Sequence, residues 1–158
     1  MMLFYLDSSA WVKRYFRELG SDWINQSFEQ EVLLGGSTLG LIEVMATSAR
    51  KRAAGAIDAV RFQQIERDLR DDWNGMFQIE LTSGVVQRSL ELARTVGLRG
   101  ADSVHLASAV ILRDDLALDA ESFTFVASDL ELKAAAIKAG LAVIDPQEQG
   151  QNPAALTI

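Results

Sequence analysis

Five short, apolar-rich runs, each separated from the next by helix-like sequence, constrain this chain more than any other feature. They are Leu3-Phe4-Tyr5-Leu6, Val32-Leu33-Leu34, Met76 to Leu81, Phe123 to Ala127 and Leu141 to Ile144. A strand with no polar alternation is one buried on both faces, as in a parallel sheet covered by helices. The intervening segments supply those helices. Ser8 or Ser9 can cap one running to about Arg17, and Gly20-Ser21 opens another through about Glu31. Gly35-Gly36 reads as the turn ending the second run; it lacks the spacing and lysine of a phosphate-binding loop. Ser37 or Thr38 caps a long helix to about Ala54, and Gly55 breaks it. Ile57 to Asp72 is amphipathic, with Ile57, Val60, Ile65 and Leu69 on one side. Helices over Ser83 to Val96, Asp102 to about Leu116 and Leu130 to Ala139 complete the pattern, with Gly97 and Gly140 as stops. The expected class is therefore α/β, a three-layer α/β/α sandwich with a central parallel sheet. Residues 1–146 form the expected domain, and 147–158 a polar, glutamine-rich tail.

Ligands of such sheets bind beyond the carboxyl ends of the strands. Two aspartates fall there: Asp7 closes the first apolar run, and Asp129 follows the fourth. Asp102 opens the helix Ala101-Asp102-Ser103-Val104-His105-Leu106-Ala107. Each aspartate taken alone is explained by helix capping, where a carboxylate satisfies free amide groups and suits the positive dipole end. Glu43 is different. It interrupts Leu39-Gly40-Leu41-Ile42 and Val44-Met45-Ala46, with only Thr47 as a polar neighbour at helical spacing and no Lys or Arg three or four residues away. A buried, unpaired carboxylate costs several kcal/mol or takes up a proton, on the order of magnitude of desolvation penalties. The bland alternative is a half-exposed glutamate at the helix edge.

If these carboxylates gather without basic neighbours they repel one another, and a divalent cation relieves the repulsion. The chain has no cysteine and one histidine, His105, so thiolate and multi-histidine sites are excluded and any metal is held by oxygen, as Mg²⁺ or Mn²⁺ prefers. His105 lies one turn after Asp102, but a lone histidine on an apolar helix is expected to be a satisfied core residue rather than a ligand. Trp11, Trp23 and Trp73 read as core or interface residues. A net charge of −7 argues against a nucleic-acid partner, although basic residues bunch at Lys13-Arg14-Arg17, at Arg50-Lys51-Arg52 and along Arg61, Arg67 and Arg70. The opening Met1-Met2-Leu3-Phe4-Tyr5-Leu6 lacks a basic leader and no run approaches a membrane span, so the expected location is cytoplasmic.

Four segments together resemble PIN-domain endoribonucleases, in particular the toxin half of bacterial VapBC-type toxin–antitoxin modules. Tyr5-Leu6-Asp7-Ser8-Ser9-Ala10 with Val12-Lys13-Arg14-Tyr15 is similar to the family's opening strand and first catalytic aspartate. Ser37-Thr38-Leu39 with Glu43-Val44 resembles the helix bearing its glutamate. Leu98-Arg99-Gly100-Ala101-Asp102-Ser103-Val104-His105-Leu106-Ala107 resembles the most distinctive segment, and Val126-Ala127-Ser128-Asp129 the one carrying the last acid. The family often has threonine two positions before that acid; Ala127 stands there, with Ser128 beside it as a substitute hydroxyl.

The resemblance implies a strand order 3-2-1-4-5 that brings the four acids to one edge. It further implies Mg²⁺ or Mn²⁺ held by Asp7, Glu43, Asp102 and Asp129, which would be the catalytic set, and hydrolysis of RNA phosphodiester bonds. A cognate antitoxin whose tail blocks the acidic pocket and a homodimer are implied as well. Lys13, Arg14 and Arg99 are the candidate phosphate contacts. Two other phosphoryl-chemistry folds fit poorly. A haloacid-dehalogenase-type phosphatase needs a second acid where Ser9 stands, and a receiver domain needs paired acids and a late lysine. A PIN fold that binds RNA or protein without cutting is the remaining alternative.

Overall fold

A computed structural model describes residues 1–149. Five parallel strands form one sheet in the order β3-β2-β1-β4-β5: β1 (Leu3–Leu6), β2 (Leu33–Ser37), β3 (Phe77–Ile79), β4 (Phe123–Val126) and β5 (Ala142–Ile144). Helices α1 (Ser8–Trp11), α2 (Ser21–Glu29), α3 (Thr38–Ala53) and α4 (Ala59–Asn74) cover one face. Helices α5 (Ser83–Val96), α6 (Gly100–Asp115) and α7 (Leu130–Lys138) cover the other. The expected class and strand order are both observed. No helix among the described residues is long and apolar enough to cross a membrane.

The central strand shows why an unbroken apolar run was required. Leu3 and Tyr5 point into the core under α5–α7, whereas Phe4 and Leu6 point into the core under α1–α4. All four side chains are nearly inaccessible to water, and each such burial is worth roughly 1.5–3 kcal/mol. Aromatic stacking reinforces both layers: Tyr5 on Phe125 at 5.5 Å and Phe4 on Trp23 at 5.4 Å between ring centroids. Trp11 and Trp23 are core residues, and the half-buried Trp73 stacks on Trp11.

Gly35-Gly36 is not a turn. Both glycines lie inside β2, pairing with Phe77 and Gln78 of β3. Spatial closeness explains them: a Cβ at Gly35 would lie 2.9 Å from Leu112 Cδ2 of α6, and one at Gly36 would lie 3.2 Å from Met76 Cε. The missing side chain at Gly35 lets α6 settle directly onto β2 near Leu112. The first helix also differs from expectation. It ends at Trp11 and continues as a 3₁₀ turn over Val12–Arg14, and Asp7 rather than a serine caps it. Val60 is exposed, so the amphipathic face of α4 is carried by Ile65 and Leu69. Gln147 and Glu148, assigned to the tail, belong to a 3₁₀ turn over Pro146–Glu148, and 150–158 lie outside the described residues.

Gly35→Val should therefore lower stability by about 1–3 kcal/mol through overpacking against Leu112. A urea midpoint unchanged from wild type would show that α6 does not depend on this close approach.

Candidate acidic site

Asp7 leaves β1 at its carboxyl end and folds back as the N-cap of α1. One oxygen accepts the Ala10 amide at 2.9 Å, and the Ser9 hydroxyl lies 2.8 Å from both. Ser9 also accepts the Ser128 amide at 3.2 Å, tying the segment after β4 to the one after β1. Only 3% of Asp7 is exposed. Burial pushes its carboxyl up to about 6, against the downward pull of His105, the Ala10 amide and Ser9; the charge of Asp102 adds to the rise.

Glu43 is neither free in solvent nor unpaired. Its Oε1 lies 2.6 Å from Nε2 of His105, which reaches across from α6. Burial disfavours the charged form, but the hydrogen bond and charge of His105, helped by Ser8, outweigh it and hold the carboxyl below its ordinary value. The other imidazole nitrogen, Nδ1, lies 3.1 Å from the Tyr5 hydroxyl. His105 is thus a satisfied, buried histidine, as expected, and at the same time the basic neighbour that sequence spacing could not reveal. The two residues are 62 positions apart. Gly40 makes room for the ring: a Cβ there would lie 3.2 Å from His105 Cε1.

Asp102 sits in the first turn of α6, partly buried. Burial raises its pKa, and the charges of Asp129 and Glu43 raise it further, against opposing pulls from His105 and Arg99. Asp129 caps α7 by accepting the Leu132 amide at 2.8 Å, and is exposed. The four acids thus share one edge, with Asp102 feeling the charges of Asp129 and Glu43, and Asp7 that of Asp102. Among the described residues, no group of three or more His, Asp and Glu side chains converges into a ready-made metal cage. The donor chemistry nonetheless suits a hard divalent cation: carboxylate oxygens, no thiolate, and an imidazole already committed on both nitrogens.

Three secondary candidates behave otherwise than expected. Lys13 is buried and bonded to Glu18 at 3.1 Å. Arg14 binds Asp72 and Asn25 and stacks over Phe28, so both cations serve the fold rather than a phosphate. The Ser128 hydroxyl donates to Asp145, which also pairs with Lys133 at 2.6 Å, so it does not replace the hydroxyl absent at Ala127. Arg99 is exposed, and its charge reaches Asp102. An apolar groove of about 640 Å³ lies between Leu41, Ile42 and Met45 of α3 and Leu69, Arg70 and Trp73 of α4; none of the four acids lines it.

Comparison with known proteins gives this arrangement a class. No family model matches the chain. Solved structures share the fold over nearly all of it. One is a toxin–antitoxin complex from Klebsiella pneumoniae (TM-score 0.62, 17% identity, 94% of this chain and 100% of that one). A second is PAE2754 from Pyrobaculum aerophilum (0.60, 19%, 92% of each). A third is VapBC-1 from nontypeable Haemophilus influenzae (0.60, 12%, 93% and 100%). The architecture is thus the PIN fold of VapC-type proteins. Curated relatives narrow it further: Ribonuclease VapC45 and Ribonuclease VapC49, from two Mycobacterium tuberculosis strains, are each 37% identical over 114 residues, covering 72% of this chain and 79% of the relative. The chain belongs to the VapC ribonuclease family.

The buried Asp7 carboxyl has a consequence for stability. An aspartate whose pKa rises on folding destabilises the folded protein as pH climbs from about 4 to about 6, and by a constant amount above that. Two units correspond to about 3 kcal/mol. In metal-free protein, Asp7→Asn should therefore be more stable than wild type at pH 7, by on the order of 1–3 kcal/mol. The gain should vanish near pH 4, and urea unfolding at both pH values checks it.

Proposed function

We propose that the protein is an Mg²⁺- or Mn²⁺-dependent endoribonuclease acting as the toxin of a type II toxin–antitoxin pair. The observation that carries this reading is Asp7, a carboxylate shut away from water at the end of the central strand, with the charge of Asp102 acting on it and, among the described residues, no Lys or Arg bonded to it. Its relatives' names point to RNA as the substrate.

Asp7, Glu43 and Asp102 would hold the cation directly or through water, and Asp129 would complete the site. When bound, the ion supplies Lewis acidity toward a water and toward phosphodiester oxygens. Ser9 and the Ala10 amide fix Asp7 with both oxygens at the site's floor. His105 holds one oxygen of Glu43 and leaves the other for the pocket. Arg99, with Lys13 and Arg14 engaged elsewhere, is the remaining cation beside the acids able to meet a phosphate.

Asp7→Asn and Asp102→Asn, each folded, should lose RNA cleavage by at least about a hundredfold, the scale on which a misplaced catalytic group acts. Full activity in either purified variant would reject the assignment. The open spacing of the acids favours one alternative, a PIN module that binds RNA or protein without cutting. A wild-type protein inactive across an Mg²⁺ and Mn²⁺ titration would select it.

The partner in this reading is a cognate antitoxin, in line with the toxin–antitoxin complexes among the structural neighbours. Its apolar segment would lie in the α3–α4 groove, which Ile42 lines. Ile42 is 60% exposed, so replacing it should spare the fold. Ile42→Glu is expected to weaken co-purification of the small neighbour-encoded protein without changing the unfolding midpoint; undiminished co-purification would move the partner to another surface. The proposal extends to a cytoplasmic homodimer, for which the exposed Val86 and Leu90, one turn apart on α5, offer an apolar strip.

A further inference from the structure

Glu43 stands on a helix rim with 33% of its side chain exposed, where a long glutamate ordinarily samples many orientations. Here it does not have that freedom. Nε2 of His105 meets Oε1 at 2.6 Å, and the ring itself is fixed at its far side by the Tyr5 hydroxyl. Tyr5 is in turn clamped within the central strand and stacked on Phe125. The chain Tyr5–His105–Glu43 therefore runs from the most buried part of the sheet to the acid pocket.

The order of donors along this chain is constrained. Glu43 accepts, so Nε2 must carry a proton in either charge state; Nδ1 accepts from the Tyr5 hydroxyl when the ring is neutral and donates to it when the ring is charged. Space is reserved for the arrangement as well. Gly40, one turn before Glu43, leaves room for the ring between α3 and α6, since a Cβ there would crowd Cε1 at 3.2 Å. A histidine buried only for packing also needs partners for its nitrogens, but it does not need one of them to be a carboxylate on a helix rim beside other acids.

We infer that His105 is a positioning residue, which through its Nε2 proton fixes the Glu43 carboxylate among the acids, with Tyr5 holding the far side of the ring. Its value for catalysis rests on the metal-dependent reading above. A carboxylate already oriented loses less freedom on meeting a cation, and such outer partners commonly change metal affinity by about 10–100-fold.

His105 is the only histidine in the chain, so ¹⁵N-imidazole spectra of the full-length protein report on it alone. In metal-free wild type, Nε2 should be protonated and its resonance should move in Glu43→Gln. Tyr5→Phe should shift the Nδ1 resonance, because that nitrogen loses its hydrogen-bond partner, while Nε2 stays protonated against Glu43. An Nε2 without a proton, or one indifferent to Glu43→Gln, overturns the inference whatever the metal does. Mn²⁺ affinity, measured by calorimetry on folded variants, supplies the second readout. His105→Leu keeps the volume but loses the donor, and should bind about 10–100-fold more weakly. His105→Gln, which restores an N–H at similar reach, should recover most of that loss. Wild-type affinity in His105→Leu, or equal losses in both variants, would reduce His105 to packing. If wild type binds no Mn²⁺ while the Nε2 proton still answers to Glu43→Gln, the metal reading fails and the positioning role stands.

Discussion

A carboxylate that cannot reach water is the constraint around which this end of the molecule is built. Asp7 follows directly on the central strand, where neighbours on both sides and helices above and below leave it 3% exposed. An isolated charge in such a place is prohibitive, and its surroundings only partly relieve it. The Ala10 amide, the Ser9 hydroxyl and the more distant imidazole all favour ionisation, yet burial prevails. The same residues that soften the cost also knit strands together, since Ser9 bridges from Asp7 to the segment after β4. A fold selected for stability alone would place an amide or a serine at this cap. Retaining an aspartate there is intelligible if the site is completed by a positive charge from outside the chain.

Glycine placement, more than hydrophobic pattern, determines how the acids meet. Gly35 admits α6 to the sheet, Gly40 admits His105 between α3 and α6, and Gly36 accommodates Met76 from the segment before β3. Each removes a side chain at a contact where even a methyl group would press on a neighbour. The helices that carry Glu43 and Asp102 can then approach the strand end that carries Asp7. Opposite this, α4 is pinned by a polar network in which Asp72 accepts from Arg14 and Tyr15, while Arg61 donates to the Tyr15 carbonyl. That network fixes one wall of the apolar groove.

The fold was readable because its signal is local. A run such as Leu3–Leu6 must be buried on both faces wherever it sits, and the stops at Gly55, Gly97 and Gly140 are all at positive φ, where glycine is favoured. What could not be read was long-range. Gly35-Gly36 has the composition of a turn and is a strand, because the reason for glycine lies in Leu112, far along the chain. Glu43 seemed unpaired because helical spacing shows only its own helix, and its partner comes from another. Lys13 and Arg14 seemed free because Glu18, Asp72 and Asn25 become their partners only on folding. The acids themselves were legible as residues of unusual context, whereas their spacing and the exposure of Asp129 were not.

The loss of Lys13 and Arg14 to structural roles sharpens the electrostatic problem of an RNA substrate. The chain carries −7 overall, and on the proposed reading its substrate must approach an edge that holds four acids. Two unit charges about 4 Å apart repel by roughly 4 kcal/mol at an effective dielectric near 20, so a phosphodiester brought against ionised Asp7 and Asp102 is opposed rather than attracted. Arg99 alone does not reverse that sign. A cation held among the acids would, and it would change two things together: it would remove the penalty that burial imposes on Asp7 and make the pocket tolerable to a phosphate. Substrate approach and carboxylate ionisation are then the same electrostatic event seen from two sides. On the proposed reading an antitoxin would exploit the same event, because a positively charged side chain entering among the acids would satisfy them in the cation's place.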